Sequence, residues 1–277
     1  MNTHKFNLCS GPECEVKEMT GKHQRILTEQ EKKSHNDKLH EILEDLIVRV
    51  GSVHFPVMEG SKDVTSKFLK EMLACDKKKI LTEIRQFSLD FQTDFSFLYK
   101  YQDSTGKKQE TEIVVNLEEE VGSQFPSHSP KNEFEGKLQD LQFEEYADVL
   151  ECKKVRTTLP KSGEEVEFTM LDGVGEAIGS ATKKSERSSH TLIKMRRPVK
   201  FVQKSEGRDV VPVQLNLDNL SIADIEHLRK KIKEVEGNVD TEIIFEHPDG
   251  DLAPNGEREV ILDLLSTAAF FFPSAAI

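Results

Sequence analysis

Two stretches of this chain run in step, and that constrains its fold more than any other feature. Near residues 76–117 a helical segment, Ile84-Arg85-Gln86-Phe87, leads to a strand segment, Thr93-Asp94-Phe95-Ser96-Phe97. Near 224–264, Ile232-Lys233-Glu234-Val235 leads to Thr241-Glu242-Ile243-Ile244-Phe245. The offset is 148 for helix and strand alike (232 − 84 and 241 − 93). Beyond the hairpin tip it becomes 147, setting Glu112-Ile113-Val114-Val115-Asn116-Leu117 against Glu259-Val260-Ile261-Leu262-Asp263-Leu264. Loops tolerate the loss of a residue and packed elements do not, so one residue dropped at a turn is what a duplicated helix–hairpin unit leaves behind.

The expected fold class is therefore α+β, with two helix-plus-β-hairpin units joined by a central hairpin and linker. Residues 1–20 read as an irregular N-terminal arm, with Val16-Lys17-Glu18-Met19 as a short strand candidate. Residues 21–125 hold a helical segment and the first unit. There Leu39, Ile42, Leu43, Leu46, Ile47 and Val50 form one stripe of a 3.6-residue period. A helix is expected from Gln24 to Val50, capped by Thr28 with Glu31 and stopped at Gly51. A second helix is expected over 63–74, and a third from Asp76, placed as its N-cap. Phe91, Phe95, Phe97 and Tyr99 then alternate with polar residues as a strand does.

Residues 118–136 lose all apolar periodicity, Leu138, Leu141 and Phe143 follow as a short apolar segment, and 126–145 read as a linker or insertion. Residues 146–218 open with a strand from Tyr146 to Leu159. The turn Pro160-Lys161-Ser162-Gly163 folds it back on Glu165–Met170 as the central β-hairpin. A short glycine-bearing helix and two strand candidates, 200–203 and 210–217, follow. Residues 219–277 form the second unit, opened by Ser221 with Asp224 as a capping box and trailed by an apolar tail, Ala268-Ala269-Phe270-Phe271-Phe272-Pro273.

With 38 Lys and Arg against 50 Asp and Glu, the net charge is −12, which opposes wholesale binding to a phosphate backbone. No apolar run is long enough to span a bilayer, and the first residues lack the apolar core of a signal peptide. Four scattered cysteines (9, 14, 75 and 152) suggest no disulfide framework, so a reducing, cytosolic setting is expected.

Candidate chemistry is thin. Cys9 and Cys14 look like half of a zinc site, but no second pair follows at ribbon spacing. Gly173-Val174-Gly175-Glu176-Ala177-Ile178-Gly179-Ser180 lacks the lysine of a P-loop and misses the dinucleotide spacing. The hairpin tips read Tyr99-Lys100-Tyr101-Gln102 and Glu246-His247-Pro248-Asp249, without the Cys-x-x-Cys of a zinc knuckle. No nucleophile, metalloprotease or triad motif is present. No catalytic residue, cofactor or metal is expected. Phe270, Phe271 and Phe272 are the candidate partner contacts, with burial in the chain's own core as the alternative.

One recurring order of short motifs carries a resemblance. Val16-Lys17-Glu18-Met19-Thr20-Gly21-Lys22, Asp76 with Arg85, Leu159-Pro160-Lys161-Ser162-Gly163-Glu164-Glu165-Val166 and Phe270-Phe271-Phe272-Pro273 succeed one another along the chain. In that order the chain resembles the baseplate hub (central spike complex) family of T-even-type, contractile-tailed bacteriophages. The resemblance implies a non-catalytic structural or assembly role in the tail baseplate, with other phage tail proteins as partners. It also implies a place in the virion, or in the host cytoplasm during assembly. Several relatives carry Cys-x-x-Cys at the hairpin tips, and this chain does not. Two other readings stand beside it: a transient tail-assembly chaperone, and a degenerate zinc-ribbon nucleic-acid binder.

Overall fold

The computed structural model describes residues 2–28, 34–55, 62–90, 94–103, 105–116, 144–173, 200–201, 213–214, 220–236, 242–248, 250, 258–266 and 268–272. The chain is α+β. Its N-terminal residues are ordered as a hairpin, which corrects the irregular arm expected there: β1 (Thr3–Asn7) pairs antiparallel with β2 (Glu13–Lys17). The reason is an alternation shortened by turn residues on both sides. Cys14 and Val16 face the core at 0 % exposure, and Glu13 and Glu15 face away. β3 (Ile47–Val50) adds to β2, and β4 (Val53–His54) to β3, completing a four-stranded meander.

The helix expected over 24–50 is three elements. α1 (Gly21–Thr28) ends where the cap was placed, and Glu31 lies outside the described residues. α2 (His35–Leu46) is capped instead by Ser34, whose hydroxyl accepts from the Asp37 N–H while the Asp37 carboxylate accepts from the Ser34 N–H. Ile47 and Val50 continue the helical spacing, yet they lie in β3. Pairing with β2 and β-branched side chains outweigh a periodicity that four residues cannot discriminate. Gly51, at φ +55°, turns the chain into β4.

α3 (Lys62–Glu71) and α4 (Ala74–Ser88) follow. Leu73 is the N-cap of α4 and makes no side-chain capping bond, so Asp76 is the third helical residue and its carboxylate is free to reach elsewhere. β5 (Asp94–Gln102) and β6 (Lys108–Asn116) form the first hairpin, from Asp94↔Asn116 to Gln102↔Lys108. Phe91 and Leu117, assigned to it from sequence, lie outside the described residues, as does the linker from 126 to 143. Tyr146–Cys152 is a helix, α5, where a strand was expected. Tyr146 and Val149 are spaced for a helical face and both are buried.

The second unit repeats the first far beyond the helix and hairpin. β7 (Lys154–Thr158) lies 151 residues after β1 at both ends (154 − 3 and 158 − 7). β8 (Glu165–Thr169) lies 152 after β2 (165 − 13 and 169 − 17). The extra residue sits in the turn: Leu8 N–H donates to Pro12 O, whereas Leu159 N–H reaches one residue further in its loop, to Glu164 O. β9 (Lys200–Phe201) and β10 (Val213–Gln214) continue a meander in the order of the first sheet. α6 (Ile222–Glu236) lies 148 after α4 at both ends (222 − 74 and 236 − 88). β11 (Glu242–Glu246) pairs with β12 (Glu259–Asp263) so that Glu242↔Asp263 repeats Asp94↔Asn116 under the offsets 148 and 147. The central hairpin is thus no connector but the opening of the second unit's own sheet. The glycine-bearing helix lies outside the described residues beyond Gly173.

The two units meet through equivalent residues. Phe97 packs edge-on against Phe245 at 6.2 Å, and Tyr99 against His247 at 6.0 Å. Each pair is separated by the repeat offset (245 − 97 and 247 − 99). A residue touching its own counterpart is what a two-fold axis produces, here within one chain. A 3₁₀ turn (Leu264–Ser266) and α7 (Ala268–Phe271) then return the C-terminus to α1 and β5 of the first unit.

Candidate functional site

The most concentrated polar chemistry surrounds Asp76, at the start of α4. Its carboxylate is fully buried and accepts from Ser10 N–H (3.0 Å), Ser10 Oγ–H (2.7 Å) and Tyr146 Oη–H (2.9 Å). Tyr146 Oη in turn accepts from Leu73 N–H at 2.9 Å. Burial raises the carboxyl above its ordinary 3.8, and the Ser10 and Tyr146 donors work against that rise. Cys9 and Cys75 adjoin it, their sulfurs and an Asp76 oxygen lying within 4.8 Å of one another, all buried. The structure thus brings Cys9 to Cys75 and leaves Cys14 on the neighbouring strand. The Cys75 thiol is pushed well up by Cys9, burial and the Asp76 charge, and Cys14 by burial and then the same charge.

These residues do not fit a metal centre. Both carboxylate oxygens already accept hydrogen bonds, and the second unit supplies an internal control. Asp224, the counterpart of Asp76 (224 − 76 = 148), is 2 % exposed and accepts from Lys161 N–H (2.8 Å) and Ser221 Oγ–H (2.8 Å). It holds the turn of β7–β8 as Asp76 holds that of β1–β2. The counterparts of the thiols are Pro160 (160 − 9 = 151) and Ala223 (223 − 75 = 148), which ligate nothing. The aspartate's role is to clamp a hairpin turn onto a helix.

Other polar clusters are likewise engaged in architecture. Thr20, His23 and Asp45 stand in the order hydroxyl, imidazole, carboxylate, which the sequence did not signal. His23 Nδ1, however, accepts Thr20 N–H at 2.9 Å as a cap of α1, so the Nε2–H faces Asp45 at 2.9 Å and Nδ1 is not available as a base. A cleft of about 420 Å³ lies between the β1–β2 turn, Gly51–Ser52 and Glu144–Glu145. Its cation, Arg49, is held by Glu13, Glu15 and Gly51 O, and Glu145 is held below its ordinary value by the Ser52 hydroxyl and N–H. His247 at the second hairpin tip is 6 % exposed and packs edge-on against Tyr101 at 4.9 Å, as a core aromatic would.

The partner contacts expected at the C-terminus are corrected. Phe270 and Phe271 are at 0 % exposure and Phe272 is half-buried, packed on the same core. Arg85, itself at 0 %, donates from Nε to Phe270 O at 3.1 Å and lies over the Phe270 ring at 5.3 Å. Exposed apolar bulk sits elsewhere: Leu98 (40 %), Val114 (70 %), Ile244 (58 %) and Ile261 (54 %) on the outward faces of the two hairpins, and Val64 (50 %) and Ile222 (79 %) singly on α3 and α6. Alternation made this readable in principle, since inward Phe97, Tyr99 and Phe245 leave their neighbours facing out.

Among the described residues, no helix is long and apolar enough to cross a membrane. Compared with known proteins, the chain matches no family model, no curated protein and no solved structure.

Proposed function

We propose that this chain is a structural or assembly component of the baseplate hub of a contractile-tailed bacteriophage, acting through protein–protein contacts. The observation that carries the reading is where the resembling motifs fall. Asp76 clamps the first hairpin turn, Leu159–Val166 is the turn that Asp224 clamps, and Arg85 meets Phe270 across the two units. Val16 and Met19 are buried, and Met19 N–H donates to Ser88 Oγ at 2.8 Å. These motif residues serve to hold the fold together, which fits a scaffold role better than a catalytic one. Exposed apolar side chains on two stacked hairpins provide the contact surface.

The test is mass spectrometry of purified virions beside electron microscopy of tails made without the gene. A chain present at fixed stoichiometry, with baseplates missing in its absence, is the expected result. Missing baseplates with the chain absent from virions identify a transient assembly chaperone. Normal tails in its absence refute both roles.

A further inference from the structure

The internal repeat exposes a difference between the outward faces of the two hairpins. On β5–β6, Lys100 stands opposite Glu110 as an ion pair of 3.5 Å, and Leu98 stands opposite Glu112. On β11–β12, Ile244 stands opposite Ile261, both more than half exposed, and Glu246 stands opposite Glu259, both exposed. The counterparts of these four in the first unit are Ser96, Val114, Leu98 and Glu112, so the facing acid pair belongs to the second hairpin alone. Like charges directly across a ladder weaken it. Among the described residues neither glutamate enters an ion pair.

An exposed isoleucine pair beside two carboxylates that have no cationic partner among the described residues is poorly served by water and well served by a cation carried on an apolar stem. We propose that Ile244, Ile261, Glu246 and Glu259 form the docking face for a basic segment of another protein. That segment sets an apolar side chain over the isoleucines and lysine or arginine against the glutamates. This rests on the reading that the chain works by protein contacts, and adds the chemistry of the partner. The occupant follows from charge complementarity: the face is acidic, and the chain's net charge of −12 steers basic partners toward it.

The probe is a fluorescein-labelled synthetic peptide alternating lysine and isoleucine, titrated with the full chain and followed by anisotropy. A peptide with glutamate in place of lysine is the control. Saturable binding of the lysine peptide is expected, weakening several-fold as sodium chloride rises from about 0.05 to 0.5 M. I244S/I261S and E246K/E259K each weaken it about tenfold or more, while Val64→Ser, at an exposed position of α3 outside both hairpins, leaves it unchanged. Circular dichroism verifies that each surface variant is folded. Equal binding of the glutamate peptide overturns the proposal. So does undiminished binding by both double variants, since attraction would then come from net charge alone. A concentration-dependent dimer that I244S/I261S abolishes, with no peptide binding, assigns the face to a second copy and also overturns it. Phage carrying E246K/E259K separate this from the baseplate role. Normal tails containing the chain refute the docking face and leave that role standing, whereas peptide binding by a chain absent from virions and dispensable for tails does the reverse.

Discussion

Replacing Tyr146 by phenylalanine removes one oxygen atom at the junction of the two units and little else. The ring still packs on Phe68, whose centroid lies 5.2 Å away. What disappears is the bond from Leu73 N–H to Oη and the bond from Oη–H to Asp76, both 2.9 Å. Leu73 is 2 % exposed, so its N–H is left buried without that acceptor, at a cost of about 1–3 kcal/mol. The carboxylate loses one donor, about 1 kcal/mol more, for a total of about 2–4 kcal/mol. The pH dependence has a definite sign. The folded Asp76 carboxyl lies above its ordinary 3.8, so its contribution to stability is fully present below 3.8 and is lost as pH rises through the folded value. Tyr146 is one of the groups holding that value down, so the variant raises it further and its deficit grows from about pH 4 to about pH 8. Urea unfolding followed by circular dichroism at both pH values measures this. A deficit under about 0.5 kcal/mol at both, or one larger at low pH, refutes the clamp.

The counterpart Asp224 has the opposite sign. Burial works to raise its carboxyl, but the Lys161 N–H, Ser221 hydroxyl and Ser162 N–H together hold it below 3.8. Asp224→Asn should therefore destabilise the fold near neutral pH, with the deficit shrinking as pH falls through the depressed value, in the same urea series. Phe271→Ala should cost about 3–5 kcal/mol, and deletion of residues 269–277 should abolish cooperative unfolding, because Phe270 and Phe271 are core residues. Phe97→Ala and Phe245→Ala should be non-additive by about 0.5–1.5 kcal/mol in a double-mutant cycle, and strict additivity would remove the unit–unit contact. Gly51→Ala should lose about 1–3 kcal/mol by thermal melting, since φ is +55° and a Cβ would lie 2.9 Å from Glu144 O.

Much of the second half of each unit was legible in the sequence. Helix and hairpin keep a period of 3.6 or 2 over many residues, so the offset of 148 survives in the letters and the strand register reproduces it. Ser221 with Asp224 was readable for the same reason, because the cap is complete within four residues: Asp224 N–H donates to Ser221 Oγ, whose hydroxyl donates to the Asp224 carboxylate. The break of the 24–50 helix was not readable. Leu39 to Val50 fits one helical stripe, and only pairing with β2, more than thirty residues earlier, converts its end to a strand.

By itself the sequence determined the α+β class, the paired helix–hairpin units and the polarity of their faces, because those follow from contacts between near neighbours. Tertiary structure alone decided that the duplication reaches back to β1 and β7, that the phenylalanine tail is core, and that Asp76 is a clamp. Each depends on a partner 63 to 185 residues away, such as Ser10 for Asp76, Lys161 for Asp224 and Arg85 for Phe270. A carboxylate or an aromatic ring reads the same in sequence whether water or a distant turn is its neighbour. Only the closing of the chain sets which.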